Sequence, residues 1–418
     1  MVDKIPQNLK LRQILPSLVK FLDQEEIMLL YGMRQVGKTS LLYLLIKRLI
    51  KKNRNISKQI VYFDLENIAD FQLLENLRNY DNFIAILKNK YQVDLRKKVW
   101  IFIDEIQYLT NPSSFLKYLY DRHKLKMKFI VTGSSSLEIK KKFSDALTGR
   151  IFRFEIWPLN YQEFLNFTNQ KRGVISFEKY VLFGGFPAVC LKKESEIKIR
   201  LLREIYSLYI RRDIKDLGKI GNILAFNKLV RILAAQVGGL VSEVNLAAIS
   251  GISRPTIREY LFLLENTFVL NLVSPFFTNP RKEVRKMPKL YFNDSGLRNA
   301  ALDNFLPLEK RGDMGSLVEN TVFSELKKNN RKVHFWRTER KQEVDFILAK
   351  RGKVAPIEIK YRFFKKPLIP PSLKVFIKNY KPAEAFVLTK NFNTQDKIGK
   401  TKVIFIPCFS LHTPSLGA

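Results

Sequence analysis

Five apolar runs punctuate the first 165 residues: Ile27 to Tyr31, the centre of "QIVYFDLEN" (Gln59 to Asn67), Val99 to Ile103, the centre of "KFIVTGSSS" (Lys128 to Ser136), and "GRIFRFEIWPLNYQEFL" (Gly149 to Leu165). Each is too short and too continuously apolar for an amphipathic helix. Helical stretches such as Leu41 to Ile46 lie between them. This alternation predicts buried parallel strands in a three-layer α/β domain. From Tyr161 to Gly239 the pattern turns mainly helical, broken at "GGFP" (Gly184 to Pro187), which no continuous helix tolerates. A short helix from about Ser242, a turn at Gly251, and a longer helix capped by Ser253 with Pro255 in its first turn then give helix-turn-helix spacing. Val269 to Val273 and Lys289 to Phe292 flank the basic "RKEVRK" (Arg281 to Lys286) as the strands of a hairpin flank its tip, which makes a winged helix the expected module. Beyond Leu306, apolar alternation around Asp345 and around Glu358 predicts two neighbouring strands after the helical "SLVENTVFSEL". The expected boundaries are 1–160 for the three-layer α/β core, 161–239 for a helical lid, 240–305 for a winged helix, and 306–418 for a C-terminal α/β domain.

The most specific motif is "YGMRQVGKTS" (Tyr31 to Ser40), a strand running into a glycine-bearing loop with Gly-Lys-Thr at the start of a leucine-rich helix. Gly32 and Gly37 let backbone amides turn inward without a Cβ in the way, and a helix N-terminus adds its dipole, so the loop is a phosphate cradle. Gly32, Arg34, Gln35, Val36, Gly37, Lys38, Thr39 and Ser40 are its expected nucleotide-binding residues. Lys38 is assigned to the β and γ phosphates of ATP and Thr39 to Mg²⁺. "KVWIFIDEIQYL" (Lys98 to Leu109) supplies a second acidic site, with Asp104 expected to hold Mg²⁺ through water. Glu105 is expected to polarise the attacking water, provided its strand lies away from the P-loop strand. Ser134 or Ser135 is a candidate polar sensor, and a serine-rich turn reads them equally well. Arg150 and the pair Arg211-Arg212 are candidates to place a guanidinium on transition-state charge, in cis or across a homo-oligomer interface; a salt bridge is an equal reading for each.

These motifs resemble a family of prokaryotic AAA+-like P-loop ATPases, near the signal-transducing branch, that carry a C-terminal nuclease-like region long labelled as of unknown function. The resemblance rests on "GMRQVGKT", "YFDLEN", "IFIDEIQ", "VTGSSS", "LTGRIFRFEIWPL", "GGFP", "RRDI", "KLYFNDSGL", "GSLVEN", "EVDFIL" and "IEIK", and so spans nearly the whole chain. It implies ATP binding and hydrolysis.

In the C-terminal part, a helix glutamate (Glu319), Asp345, and Glu358 two residues before Lys360 have the arrangement of a PD-(D/E)xK nuclease. Three carboxylates then bind Mg²⁺, and Lys360 orients water or stabilises developing charge. Val344 stands where that motif usually has proline, and Glu-x-Lys is also common on strand edges.

Composition narrows the partners. There are 73 Lys and Arg against 39 Asp and Glu, a formal charge of +34, which makes polyanions natural partners. Residues 351–400 hold twelve Lys or Arg and three Asp or Glu, so the excess gathers beside the carboxylates and favours nucleic acid, DNA above all. Arg254, Arg258, Arg281, Lys282, Arg285 and Lys286 are expected to meet phosphates if the winged helix touches DNA; internal packing is the other use of such a module. Two cysteines and three scattered histidines argue against a disulfide framework or a zinc motif. No window reaches the ~18 apolar residues of a membrane span, so a cytoplasmic protein without membrane partners is expected. Two functions stay open: an ATP-controlled nuclease or DNA-processing enzyme, and a regulatory ATPase whose C-terminal fold only binds nucleic acid or protein.

Overall fold

The computed structural model describes residues 5–134, 147–209, 222–276, 287–329, 331–350 and 352–411. Arg211, Arg212, Ser135, and the basic tip carrying Arg281, Lys282, Arg285 and Lys286 lie outside the described residues. The chain divides into two compact units, Met1–Pro158 and Leu159–Ala418.

The first unit is mixed α/β around a parallel sheet of five strands: β1 (Ile27–Tyr31), β2 (Ile60–Asp64), β3 (Val99–Asp104), β4 (Met127–Gly133) and β5 (Ile151–Glu155), in the order β2-β3-β4-β1-β5. Every residue of β3 and β4 is buried, which accounts for their unbroken apolar runs. The order places β4 between the strand that leads to the P-loop and the strand that ends in Asp104. On the core side, Leu29, Phe63, Ile101, Phe129 and Val131 pack with Phe83, Leu87, Phe115 and Leu119 from helices Asp81–Asn89 and Pro112–His123.

The second unit begins helically. Helix Tyr161–Thr168 opens on a capping box in which the Asn160 side chain accepts from the Glu163 amide and Glu163 accepts from the Asn160 amide. Helix Val174–Phe183 ends at "GGFP". Helices Glu243–Ser250 and Arg254–Asn266 follow, capped by Ser242 and Ser253, with Gly251 in the left-handed region (φ 73°) between them. Strands β6 (Leu270–Val273) and β7 (Lys289–Phe292) pair antiparallel, and Leu240 adds a bridge to Lys289 on the other side.

The C-terminal portion is a six-stranded mixed sheet of β8 (Val333–Arg337), β9 (Glu343–Lys350), β10 (Lys353–Lys360), β11 (Glu384–Thr389), β12 (Thr394–Ile398) and β13 (Thr401–Pro407). Its order is β12-β13-β11-β10-β9-β8. β9 and β10 are antiparallel neighbours, whereas β10, β11 and β13 run parallel. No helix among the described residues is long and apolar enough to cross a membrane.

Candidate functional site

The P-loop begins where β1 ends. Gly32 adopts φ 154°, and a Cβ there would lie 2.2 Å from the Ile156 carbonyl oxygen, so backbone packing excludes any side chain. Gln35 is left-handed (φ 61°), and Gly37, also left-handed (φ 91°), caps the helix Lys38–Lys52. The loop is clamped from behind by Arg12, a buried residue that sequence reasoning did not single out: Nη1 donates to the Val36 carbonyl (2.8 Å) and Nη2 to the Trp157 carbonyl (2.9 Å).

Lys38 is buried, and its Nζ donates to the carbonyls of Gly32 (3.2 Å) and Met33 (2.9 Å). Thr39, one residue on, lies beside the Asp104 carboxylate and favours its charged form. Asp104 accepts from the Tyr62 hydroxyl (3.1 Å) and the Thr132 hydroxyl. Burial raises the Asp104 carboxyl above the usual range, against these hydrogen bonds and with the help of the Glu105 charge. A carboxyl raised in this way holds its proton more tightly than a free one, and a cation beside it would favour the charged form; its nearness to Thr39 brings together the two oxygens that a P-loop site offers Mg²⁺.

Glu105 turns away from the strand through a left-handed backbone (φ 54°) fixed by its amide donating to Thr132 Oγ1 (2.8 Å). Burial alone would raise its carboxyl, but the Lys38 ammonium, Gln107, Arg34 and Ser134 outweigh it and hold it below the ordinary value. Gln107 spans the site, donating to Glu105 Oε2 and to Ser134 Oγ, the latter at 2.9 Å. Thr132 and Gln107 are thus positioning residues without a sequence signal beyond their place beside β3 and β4. Arg34 lies 3.8 Å from Glu66. Val36 is buried, while Ser40 is half-buried on the first turn of the helix. Arg150 is committed elsewhere: Nε and Nη2 contact the Asp121 carboxylate at 2.6 and 3.3 Å, the salt-bridge reading of this arginine.

Residues 24–165 match a family model described as an AAA domain. Residues 175–307 and 314–409 match two further models, each described as a domain of unknown function. An uncharacterized protein of Haemophilus influenzae is 25% identical over 401 residues, covering 94% of this chain and 96% of its own length. An uncharacterized protein of Methanocaldococcus jannaschii is 28% identical, covering 78% of this chain and 73% of its own. Among solved structures, a Walker-type ATPase of Pyrococcus abyssi aligns over 72% of this chain and 99% of its own, at 15% identity and a TM-score of 0.47.

The second unit holds a buried cluster of charge. Asp345 on β9 and Glu358 on β10 lie one residue beyond the last strand pair, Phe346 with Ile357, and Asp345 Oδ2 accepts from the Ile359 amide (2.7 Å). Lys360 reaches back to Glu358 Oε1 at 2.8 Å, so Glu358 and Lys360 do share a side of the strand. Glu319, on helix Met314–Lys328, accepts from the Tyr291 hydroxyl (2.5 Å). Burial raises Asp345 well above the ordinary carboxylate value, reinforced by the charges of Glu319 and Glu358; burial raises Glu358 too, with Lys360 opposing.

The three carboxylates therefore feel one another. Among the described residues, no group of three His, Cys, Asp or Glu side chains is placed to hold a metal ion. Beside Glu319 lies a residue that sequence reasoning read only as strand. Lys289 is 2% exposed, and its Nζ lies 2.5 Å from Glu343 Oε1 and 3.4 Å from Glu319 Oε1.

On the helix-turn-helix segment, Arg258 Nε and Nη2 donate to the two oxygens of Glu243 at 3.1 and 2.7 Å, with Arg254 at 4.0 Å. Both arginines are more than half exposed.

Proposed function

We propose that this chain binds and hydrolyses ATP and uses the cycle as a switch or motor on nucleic acid. The observation that carries the ATPase reading is the meeting of Lys38, Thr39, Asp104 and Glu105 around one loop, with β4 separating the strands that supply them. That separation gives Glu105 room to address the γ-phosphate side while Asp104 stays beside Thr39. The amides of Gly32 to Ser40 cradle the phosphates and Lys38 neutralises them. Mg²⁺, held by Thr39 and through water by Asp104, would neutralise charge between the β and γ phosphates. Glu105 orients water and accepts its proton, and Ser134, held by Gln107, lies beside it as the polar sensor.

The nucleic-acid reading is supported by the +34 charge and by the basic excess in residues 351–400. The C-terminal domain has two readings, an Mg²⁺-dependent nuclease and a fold that binds without cleaving. Lys289 among the carboxylates favours the second, since it supplies from within the chain the positive charge that a metal would bring.

Phosphate release from ATP, measured with and without DNA for the wild type and Lys38→Ala, tests the proposal. Turnover that DNA stimulates and Lys38→Ala abolishes is expected. A wild type that neither binds nor hydrolyses millimolar ATP overturns the ATPase reading, and turnover indifferent to DNA and RNA alike overturns the nucleic-acid reading.

A further inference from the structure

Lys289 lies at the start of β7, buried, with its ammonium 2.5 Å from Glu343 and 3.4 Å from Glu319. Asp345 adds its field to theirs. Asp345 in turn feels the charges of Glu319 and Glu358, and its Oδ2 accepts from the Ile359 amide, one residue from Glu358 (2.7 Å). A second ammonium, Lys360, closes the far side at 2.8 Å from Glu358. Four carboxylates thus surround two lysines, and the cation nearest Glu319 belongs to the protein.

The backbone that carries Lys289 is held from both sides. Lys289 pairs with Val273 in the hairpin. On the other edge, Val241 N donates to the Pro288 carbonyl (2.8 Å), Leu290 N to the Gly239 carbonyl (3.1 Å), and Gly238 N to the Leu290 carbonyl (2.8 Å). Glu319 is fixed in turn by Tyr291, two residues along the same strand. The Phe335 ring lies 5.5 Å from Nζ and walls one side. Glu358 Oε2 is the remaining observation: the residue is 3% exposed, yet this oxygen has no hydrogen-bond partner among the described residues. The cluster keeps one acceptor open on the Lys360 side while the Glu319 side is filled.

We infer that Lys289 is the resident cation of this carboxylate cluster and excludes divalent metal from it, so that the domain recognises its partner without metal-dependent cleavage. A dication at the Glu319 position would lie within hydrogen-bond distance of a fixed ammonium and take oxygens already bound to it. Like-charge repulsion and the loss of those bonds both oppose its entry. The inference does not depend on ATP hydrolysis, and its test contains no nucleotide.

The test titrates Mn²⁺ into the full chain at one mildly alkaline pH and follows free Mn²⁺ by electron paramagnetic resonance. The wild type is expected to show no site that Asp345→Asn or Glu358→Gln removes. Lys289→Met, which keeps the length of the side chain and deletes the charge, is expected to tighten Mn²⁺ binding at least tenfold, and the double variant with Asp345→Asn to lose that gain. One Mn²⁺ per wild-type chain, released by Asp345→Asn or Glu358→Gln, overturns the inference without recourse to the Lys289 variant. A folded Lys289→Met chain with wild-type Mn²⁺ affinity overturns it as well.

Discussion

The Lys38 ammonium lies 3.8 Å from the Glu105 carboxylate, at side-chain exposures of 4% and 13%. The pair joins the residue assigned to phosphate charge with the residue assigned to water. Their substitutions should therefore separate. Lys38→Ala removes the buried ammonium that nucleotide phosphates would take over from Glu105, and nucleotide affinity should fall sharply. Glu105→Gln keeps the shape and loses the base, so binding should persist while turnover drops by roughly 10²–10⁴. Fluorescent-nucleotide binding and phosphate release on the same preparations measure the two effects, and wild-type turnover in Glu105→Gln would remove Glu105 from catalysis.

Thr132 holds both acids at once, donating to Asp104 and accepting the Glu105 amide at 2.8 Å. Thr132→Val preserves the volume and deletes both bonds. Turnover should fall about 10–100-fold, the usual cost of losing a group that orients a ligating or catalytic side chain. Nucleotide affinity should change far less, because the P-loop amides and Lys38 remain. A loss confined to affinity would refute the positioning role.

Much of this was legible because it is local. The strand, glycine loop and helix of the P-loop are contiguous, and Asp104-Glu105 end a run whose burial is complete. Ser242, Gly251 and Ser253 announce two helices through their caps. Glu358 and Lys360 share a face by strand periodicity alone. The missed residues depend on contacts between distant segments. Arg12 reaches Val36 and Trp157, and Lys289 reaches Glu319 and Glu343. A lysine in an apolar strand carries no mark of the carboxylates that make its burial tolerable, since they arrive from a helix and a strand thirty or more residues later. The metal expectation rested on the same spacing, which reports the acids but not the lysine beside them.

Lys128 offers a pH test of the first unit. Burial near the start of β4 depresses its amine from 10.5 to about 7, while its Nζ donates to the Glu26 carbonyl. Between pH 7 and 10.5 the unfolded chain binds a proton there that the folded chain does not, so stability rises with pH across that window and the slope vanishes below it. Lys128→Met abolishes this linkage. The Tm difference, variant minus wild type, should become smaller as pH is raised from 7 towards 10; a constant difference would show that Lys128 is charged in the folded protein.

Gly184 tests the "GGFP" turn. It adopts φ 69°, and a Cβ there would lie 2.0 Å from Asp294 Oδ1. Asp294 cannot move aside easily, because its two oxygens accept from the Gly185 amide (2.7 Å) and the Leu297 amide (3.0 Å), the latter capping helix Ser295–Leu302. Gly184→Ala should cost about 3 kcal/mol, from left-handed strain plus displacement of a buried cap. Urea unfolding measures it, and a loss below about 0.5 kcal/mol would mean that the turn relaxes.

Glu243 holds Arg258 by two hydrogen bonds and lies within 4.0 Å of Arg254, so the two arginines that a DNA-binding helix-turn-helix would use share one carboxylate. The pairs are exposed and contribute little to stability. Their release should matter more for binding. If this face meets phosphates, Glu243→Gln frees two guanidiniums and removes a repelling charge, and DNA affinity should rise several-fold at low salt. Each phosphate contact adds about 0.9 to the slope of log affinity against log salt. Replacing Arg254 and Arg258 together by Gln should therefore flatten that slope by up to about 1.8, whereas Glu243→Gln leaves it unchanged or steeper. Filter binding of a duplex between low and physiological salt reads both slopes. Equal slopes in the wild type and the double arginine variant, with unchanged Tm, would assign the two helices to internal packing and leave the basic surface of residues 351–400 as the nucleic-acid contact to test next.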